Sequence, residues 1–483
     1  MLGSQLVDLL QHFAQEELHE LKLFVASPYF NRGAFAKETL LLLTFVEKTY
    51  LDLSEDNLNR TAAYRAVFPE GPFVEGKLDK VMSELHLMAK EIVAVHRYMQ
   101  KDHEFHRMLD QLAFYRTRGL ANRFENLKQK LLKQQEVAPY QNEAFFRRAF
   151  LLDHEIHNNE NLHNQKRGDL HIPRTLQSLD VYYFFLKTEL LNCYLLQQKF
   201  TQLDISLDML RTIEESELPL RYAETYPVLF ISHKIFRLFE QEHVSVEEFE
   251  AVRGLLMLHE VHIEPTLLRF YLTYLRNLCV RLCNNGQLEL LPTLFNLQKD
   301  HLARGYLYYD YYDNKIPPSA FLSICNTAFK LKEYEWAKEF IAAHQNRIVG
   351  DNESRDYYRL LHANYLFVTS QYEEALHALP GVFQELDYHL YARNLELKIY
   401  YELDSELLPY KMDAFKMYLS RASQKVLTAS KKERVGNFVN LLFQLFSVAR
   451  GDKVRAERII ERIHQKQALA ERDWLLEKAK QLI

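Results

Sequence analysis

An all-α protein is predicted: an α-solenoid of helical hairpins over residues 176–483, preceded by a small N-terminal helical domain over 1–100 and a helical connector with a polar loop over 101–175. Three observations carry this expectation. Glycine and proline number 13 each in 483 residues, together about 5 % against roughly 12 % in average usage, which favours long helices and short turns. Apolar residues recur at three- and four-residue spacing almost throughout, and no segment alternates convincingly with period two. Helix–turn–helix strings also repeat along the second half. Hydrophobic residues make up 48 % of the chain and charged residues 26 %, enough for a core and a wetted outer face, so the chain is not of the disordered class.

Residues 1–100 lack the hairpin rhythm. They contain SPYFN at 27–31 and FPEGP at 68–72, with helices between these breaks. From Lys77 to His96 the apolar residues Leu78, Val81, Met82, Leu85, Met88, Ala89 and Ile92 lie on one helical face. The stretch from Asp102 to Arg174 reads as two or three helices ending in NNENLHNQKRGDLHIPRT, an exposed loop, insertion or hinge. The run VYYFFLKTELLNCYLLQQKF from Val181 to Phe200 is apolar on most of its circumference, as expected of a helix contacted on two sides. Ser245 and Glu248 form a capping-box pattern, and Pro265 fits the first turn of the next helix.

The clearest repeat is AFLSICNTAFKLKEYEWAKEFIAAH. There Ile324 and Cys325 face the partner helix, Leu331 closes the first helix, Tyr334 packs near the turn and Ala337 permits close approach. LLHANYLFVTSQYEEALHAL repeats it with Ala363, Tyr372 and Ala375. Weaker copies carry Leu291, Ala414 and Ala456, so the anchors Leu291, Ala337, Ala375, Ala414 and Ala456 are spaced 46, 38, 39 and 42 residues. The ideal repeat is about 34 residues, which makes the array degenerate. These strings resemble tetratricopeptide (TPR-like) hairpins. A lone hairpin cannot bury its apolar face, so the copies are expected to stack, with ALAERDWLLEKAKQLI as a cap and Trp474 turned inward.

Nearly the whole chain also resembles an uncharacterised bacterial family of all-helical proteins of about this length. The resemblance lies in SPYFN, FPEGPFVEGKLDKVMSEL, LDVYYFFLKTELLNCYLL, LELKIYYELDSELL and ERDWLLEKAK. It implies the helical-repeat fold and carries over no catalytic residue.

No glycine-rich phosphate loop, nucleophile elbow or catalytic triad pattern is present, and a non-enzymatic protein is expected, with no cofactor. Three HExH strings, at His103–His106, His154–His157 and His259–His262, lack the four-residue spacing of zinc proteases. A metal at His154, His157 and His163 is the alternative to surface histidines. Cys279 and Cys283 share a helical face, either as core residues or as a redox or metal pair. Tyr306, Tyr308, Tyr309, Tyr311 and Tyr312, in GYLYYDYYDNK, are candidates for partner binding or for wedging between hairpins. Residues 411–466 hold 13 Lys/Arg against 5 Asp/Glu in a chain of net charge −5. Arg455, Arg458 and Arg462 are therefore a candidate basic patch, or a solvated face paired with Glu457 and Glu461.

The leading expectation is a scaffold or adaptor holding a partner protein's peptide or helix in the solenoid groove. A nucleic-acid-associated regulator using the basic C-terminal hairpins is the alternative, and a metal-dependent enzyme the third. The first twenty residues carry no signal-peptide pattern, and the longest apolar stretches fall far short of the roughly 20 residues needed to cross a bilayer. Four scattered cysteines fit a reducing compartment, hence a cytoplasmic location and no membrane.

Overall fold

The computed structural model describes residues 3–49, 59–163, 171–197, 211–213, 215–308, 314–350, 354–381, 383, 385–422, 427–449 and 451–483. Among the described residues the chain is all-helical and has no strand. The nearest approach to one is an isolated parallel bridge between Ile316 and Ile348. No helix among them is long and apolar enough to cross a membrane. The chain divides into two compact units, Met1–Phe184 and Phe185–Ile483.

The first unit holds α1 (Gln5–Leu10), α2 (Gln15–Ala26), α3 (Ala36–Thr49), α4 (Arg60–Val67), α5 (Lys77–Met99), α6 (Glu104–Thr117), α7 (Ala121–Glu136), α8 (Glu143–His163) and the start of α9 (Ile172–Gln197). Helix α5 is the spine of its N-terminal part, packing on α1, α2 and α3. Its buried residues are the seven apolar positions that the spacing predicts. The two breaker strings are pinned by single side chains. The buried amide nitrogen of Asn31, in SPYFN, lies 2.8 Å from Val25 O, 2.9 Å from Ala36 O and 3.0 Å from Thr39 Oγ1. The Tyr64 hydroxyl donates to Pro72 O at 2.8 Å and accepts from Val74 N at 3.0 Å, holding the proline-rich loop. A separate core in α6, α7 and α8 gathers Phe105, Leu112, Phe124, Leu131, Leu152 and Ile156. Asp153, buried, holds the start of α9 through His171 at 3.0 Å and Arg174 at 3.2 Å.

The second unit continues with α10 (Leu218–Arg221), α11 (Pro227–Glu240), α12 (Val246–Leu258), α13 (Pro265–Asn284) and α14 (Leu291–Ala303), then α15 (Pro318–Lys330) and α16 (Tyr334–Ala343). It ends with α17 (Ser354–Val368), α18 (Tyr372–Ala378), α19 (Leu386–Glu402), α20 (Leu408–Arg421), α21 (Ala429–Phe446), α22 (Lys453–Gln465) and α23 (Arg472–Lys480). Ser245 caps α12 by accepting from Glu248 N at 3.0 Å, and Pro265 opens α13. From α13 onward consecutive helices pair as hairpins. From α15 onward the first helix of each hairpin also packs on the first helix of the next.

The turns repeat in backbone detail. Gly286, Lys332, Ser370 and Asp404 each sit two residues past the end of α13, α15, α17 and α19, with φ of 108°, 61°, 64° and 49°. The following residue donates its N–H to the carbonyl five residues back, at 3.0, 2.9, 2.8 and 3.1 Å. These are four copies of the Schellman C-cap, which satisfies the carbonyls a helix end leaves open. Gly451 is the left-handed residue of the α21–α22 turn. Five residues beyond these positions stand Leu291, Ala337, Ala375 and Ala456, all buried, three of them at 0 % exposure.

That register corrects one expected anchor. Ala414 is exposed. In the α19–α20 hairpin the equivalent position is Pro409, partly buried, while α20 buries Leu408, Met412, Phe415 and Leu419. The run from Val181 is also less buried than expected, with Tyr183 at 50 % and Leu190 at 64 % exposure. Trp474 does turn inward: its ring meets Tyr401 edge to face at 5.3 Å and its Nε1 donates to Glu402 Oε1 at 3.0 Å. Lys478 reaches Glu402 at 2.7 Å and Lys398 reaches Glu471 at 2.6 Å, tying α23 to α19.

Candidate functional site

Of the five tyrosines, Tyr309, Tyr311 and Tyr312 lie outside the described residues. The backbone at the other two is fastened by Arg269 of α13, which donates to Tyr306 O at 3.1 Å and Tyr308 O at 3.4 Å. The Tyr306 ring stands edge-on to His301. Tyr308 stacks on His344 with planes 2° apart, and the Arg347 guanidinium lies 4.7 Å from its ring centre. His344 Nδ1 is 2.8 Å from Phe340 O, so it carries the proton, and Nε2 accepts from the Tyr308 hydroxyl at 2.9 Å. Burial lowers the pKa of His344 and brings that of His301 down to about 4, which keeps both rings neutral. Both described tyrosines are half-buried, and Tyr308 packs against the core of α15–α19.

The basic patch stands on α22, which buries Ala456, Ile459 and Ile463. Arg455, Arg458, Arg462 and Lys466 follow at steps of three, four and four residues, so they share one flank, while Glu457 and Glu461 fall on the other. The expected pairing is not formed: among the described residues neither glutamate has a basic partner within 4 Å. The one ion pair on the flank is local, Arg455 with the N-cap Asp452 at 3.4 Å. Between α21 and α22 runs a cleft of about 380 Å³ lined by Asn437, Asn440, Leu441, Gln444, Arg462, Gln465 and Lys466. Arg462 donates to Gln444 Oε1 at 2.6 Å, and Asn437 to Ala468 O at 2.8 Å. The cleft thus presents four carboxamides and two cations and no carboxylate.

The histidine strings are engaged in packing and ion pairs. The rings of His103 and His106 are 5.7 Å apart, and burial, followed by the charges of Arg147 and Arg148, lowers the pKa of His106. Glu155 binds Arg116 at 3.0 Å, while His154 meets Asn158. The side chain of His163 lies outside what is described. His259 and His262 stand 6.3 Å apart, and the Arg304 hydrogen bond holds Glu260 below the usual carboxylate range. Among the described residues no three His, Cys, Asp or Glu side chains gather closely enough to hold a metal. Cys279 and Cys283 are buried on α13, and hydrogen bonding between them together with burial pushes the Cys279 thiol up.

Two polar constellations escape the sequence reading. Glu189, on α9, receives the hydroxyls of Ser232 and Tyr271, the latter at 2.7 Å, and burial raises its carboxyl to about 7. Asn192, one turn on, donates to Ser232 O at 3.1 Å. The signal was a lone acid inside an apolar run. On α15, α17 and α19, Asn364 donates to the Tyr391 hydroxyl at 2.6 Å and Tyr391 to Asn326 Oδ1 at 2.7 Å. Asn326 and Asn364 are 38 residues apart, as are Ala337 and Ala375. Both constellations join alternate helices, α9, α11 and α13 in one case and α15, α17 and α19 in the other, through hydrogen bonds between side chains, a rigidifying arrangement. No family model, curated protein or solved structure matches this chain.

Proposed function

We propose that residues 185–483 form a tetratricopeptide-like α-solenoid whose surface holds a peptide or helix of a partner protein, making the chain a non-enzymatic interaction scaffold. One observation carries the reading: four hairpin turns have a left-handed residue at the same position, Gly286, Lys332, Ser370 and Asp404, and the same five-back hydrogen bond. Stacked hairpins of this kind spread contacts over long rigid surfaces. Four free cysteines support placing the scaffold in the cytoplasm.

The test is crosslinking in intact cells followed by purification of the full chain and mass spectrometry. A protein recovered at near-equal amount, with crosslinks on helices α13–α22, is the expected result. Reproducible recovery of the chain alone sinks the scaffold reading.

A further inference from the structure

We infer that the Arg455, Arg458, Arg462 and Lys466 flank of α22, with the cleft it shares with α21, binds an extended acidic segment of a partner protein; this names the partner chemistry of the scaffold reading and rests on it. Arg455 and Lys466, the residue that caps the C-terminus of α22, are 11 positions apart, about 16 Å at helical rise, long enough to meet several side chains of an extended strand. All four are exposed. Arg458 and Lys466 make no side-chain hydrogen bond or ion pair with another described residue, so their charge is unspent.

The cleft separates an acidic peptide from the other polyanion that a basic flank attracts. Asn440 and Gln465 are exposed, and each presents a donor and an acceptor side by side, which matches the N–H and C=O of a peptide backbone. A phosphodiester backbone offers acceptors only, leaving the amide oxygens idle. Binding of single-stranded nucleic acid also draws on aromatic platforms for stacking, and no aromatic residue lines this cleft. The absence of a carboxylate from the lining fits an acidic guest for the same electrostatic reason.

The probe is a fluorescein-labelled peptide alternating glutamate and serine, titrated by anisotropy into the full-length protein, with the lysine–serine peptide and oligouridine as competitors. The glutamate peptide is expected to bind, more weakly as salt rises, and neither competitor to displace it. R455E/R458E/R462E should weaken it about tenfold, and R458E alone, at a side chain with no described partner to disturb, about threefold. N440A/Q465A, which leaves every charge in place, should also cost about threefold. Equal binding by wild type and the triple variant overturns the site, and so does displacement by oligouridine, which would mark a nucleic-acid surface instead. The crosslinking experiment separates the two levels of failure. A partner captured equally by wild type and triple variant preserves the scaffold and discards this site.

Discussion

The two units share one way of stopping a helix and turning the chain, and the first unit adds a second. The α6–α7 turn of the first unit has Gly119 at φ 67° with Leu120 N donating to Tyr115 O at 2.9 Å, the same backbone geometry as the turns of the second unit. In Met1–Phe184 two other breaks are held by individual side chains: the Asn31 amide reaches three oxygens, and the Tyr64 hydroxyl spans a proline-rich loop. In Phe185–Ile483 the turn is held by backbone geometry at Gly286, Lys332, Ser370 and Asp404, and the side chain at that position varies. A turn written in the backbone can be copied without copying its residue. The lesson is that repetition in this chain is a property of conformation first and of sequence second.

The comparison breaks most visibly at the small residue following each turn. Ala375→Leu forces a longer side chain between α18 and its neighbours where none of the alanine is exposed, and should cost about 3 kcal/mol in a denaturant titration. Hydrogen exchange should rise in the peptides of α17–α19 and not in those of α1–α5. Ala414→Leu, at an exposed position, should cost well under 1 kcal/mol, and an equal loss in both variants would refute the corrected register.

Asn31→Ala tests the other strategy. It removes the donor from the Val25 carbonyl, a buried contact, while Ala36 O keeps the Thr39 hydroxyl; it should destabilise by about 1–3 kcal/mol, with faster exchange confined to α1–α5. Unchanged exchange there would show that the turn does not depend on this side chain.

Glu189→Gln sharpens the picture inside the second unit. The Glu189 carboxyl sits at about 7 when folded against an unfolded value of 4.5, so the folded state holds this proton more tightly. Its stabilising contribution is therefore complete below about pH 4.5 and is lost as pH rises through 7. Glutamine keeps the accepting oxygen for Ser232 and Tyr271 and removes the charge. The variant should gain about 2 kcal/mol over wild type at pH 8 and little at pH 5, after discounting for the side chain's partial exposure. Thermal melts at the two pH values giving the same difference would contradict this.

Lys332→Gly is the smallest effect. A left-handed lysine carries strain of about 1 kcal/mol that glycine lacks, partly offset by glycine's freer unfolded chain, so a gain of about 0.5 kcal/mol is expected. A loss would mean that the Lys332 side chain does more than tolerate its backbone.

Helices with one clean apolar face were legible in the sequence: all seven apolar positions expected on α5 are buried. The hairpins around Ala337 and Ala375 were legible because two copies share a small residue and a Tyr-Glu pair. The α19–α20 copy misled because its turn residue is Asp404 and its near-turn contact is Pro409; Ala414 offered the expected residue type at a deceptive spacing. Burial of the run from Val181 was over-read, since helical apolarity says what a face can do and not whether a neighbour covers Leu190. For the candidate site, the cations were visible as letters. That Glu457 and Glu461 form no ion pair with them was not, because helix pairs need the rotamers to meet as well as the spacing. The cleft beside them requires α21 and α22 to be placed, which no local pattern encodes.

The link from Glu402 to Trp474 has a consequence for how the chain is made. The two residues are 72 positions apart. At a synthesis rate of about 5–20 residues per second, α19 waits about 4–14 s for the indole that closes over it. During that interval Tyr401 lacks the Trp474 ring that packs on it, while the helices before it are already able to pack. Synthesis of this protein thus includes a window in which the surface around Tyr401 is adhesive, and a chaperone that binds apolar surface would find it there.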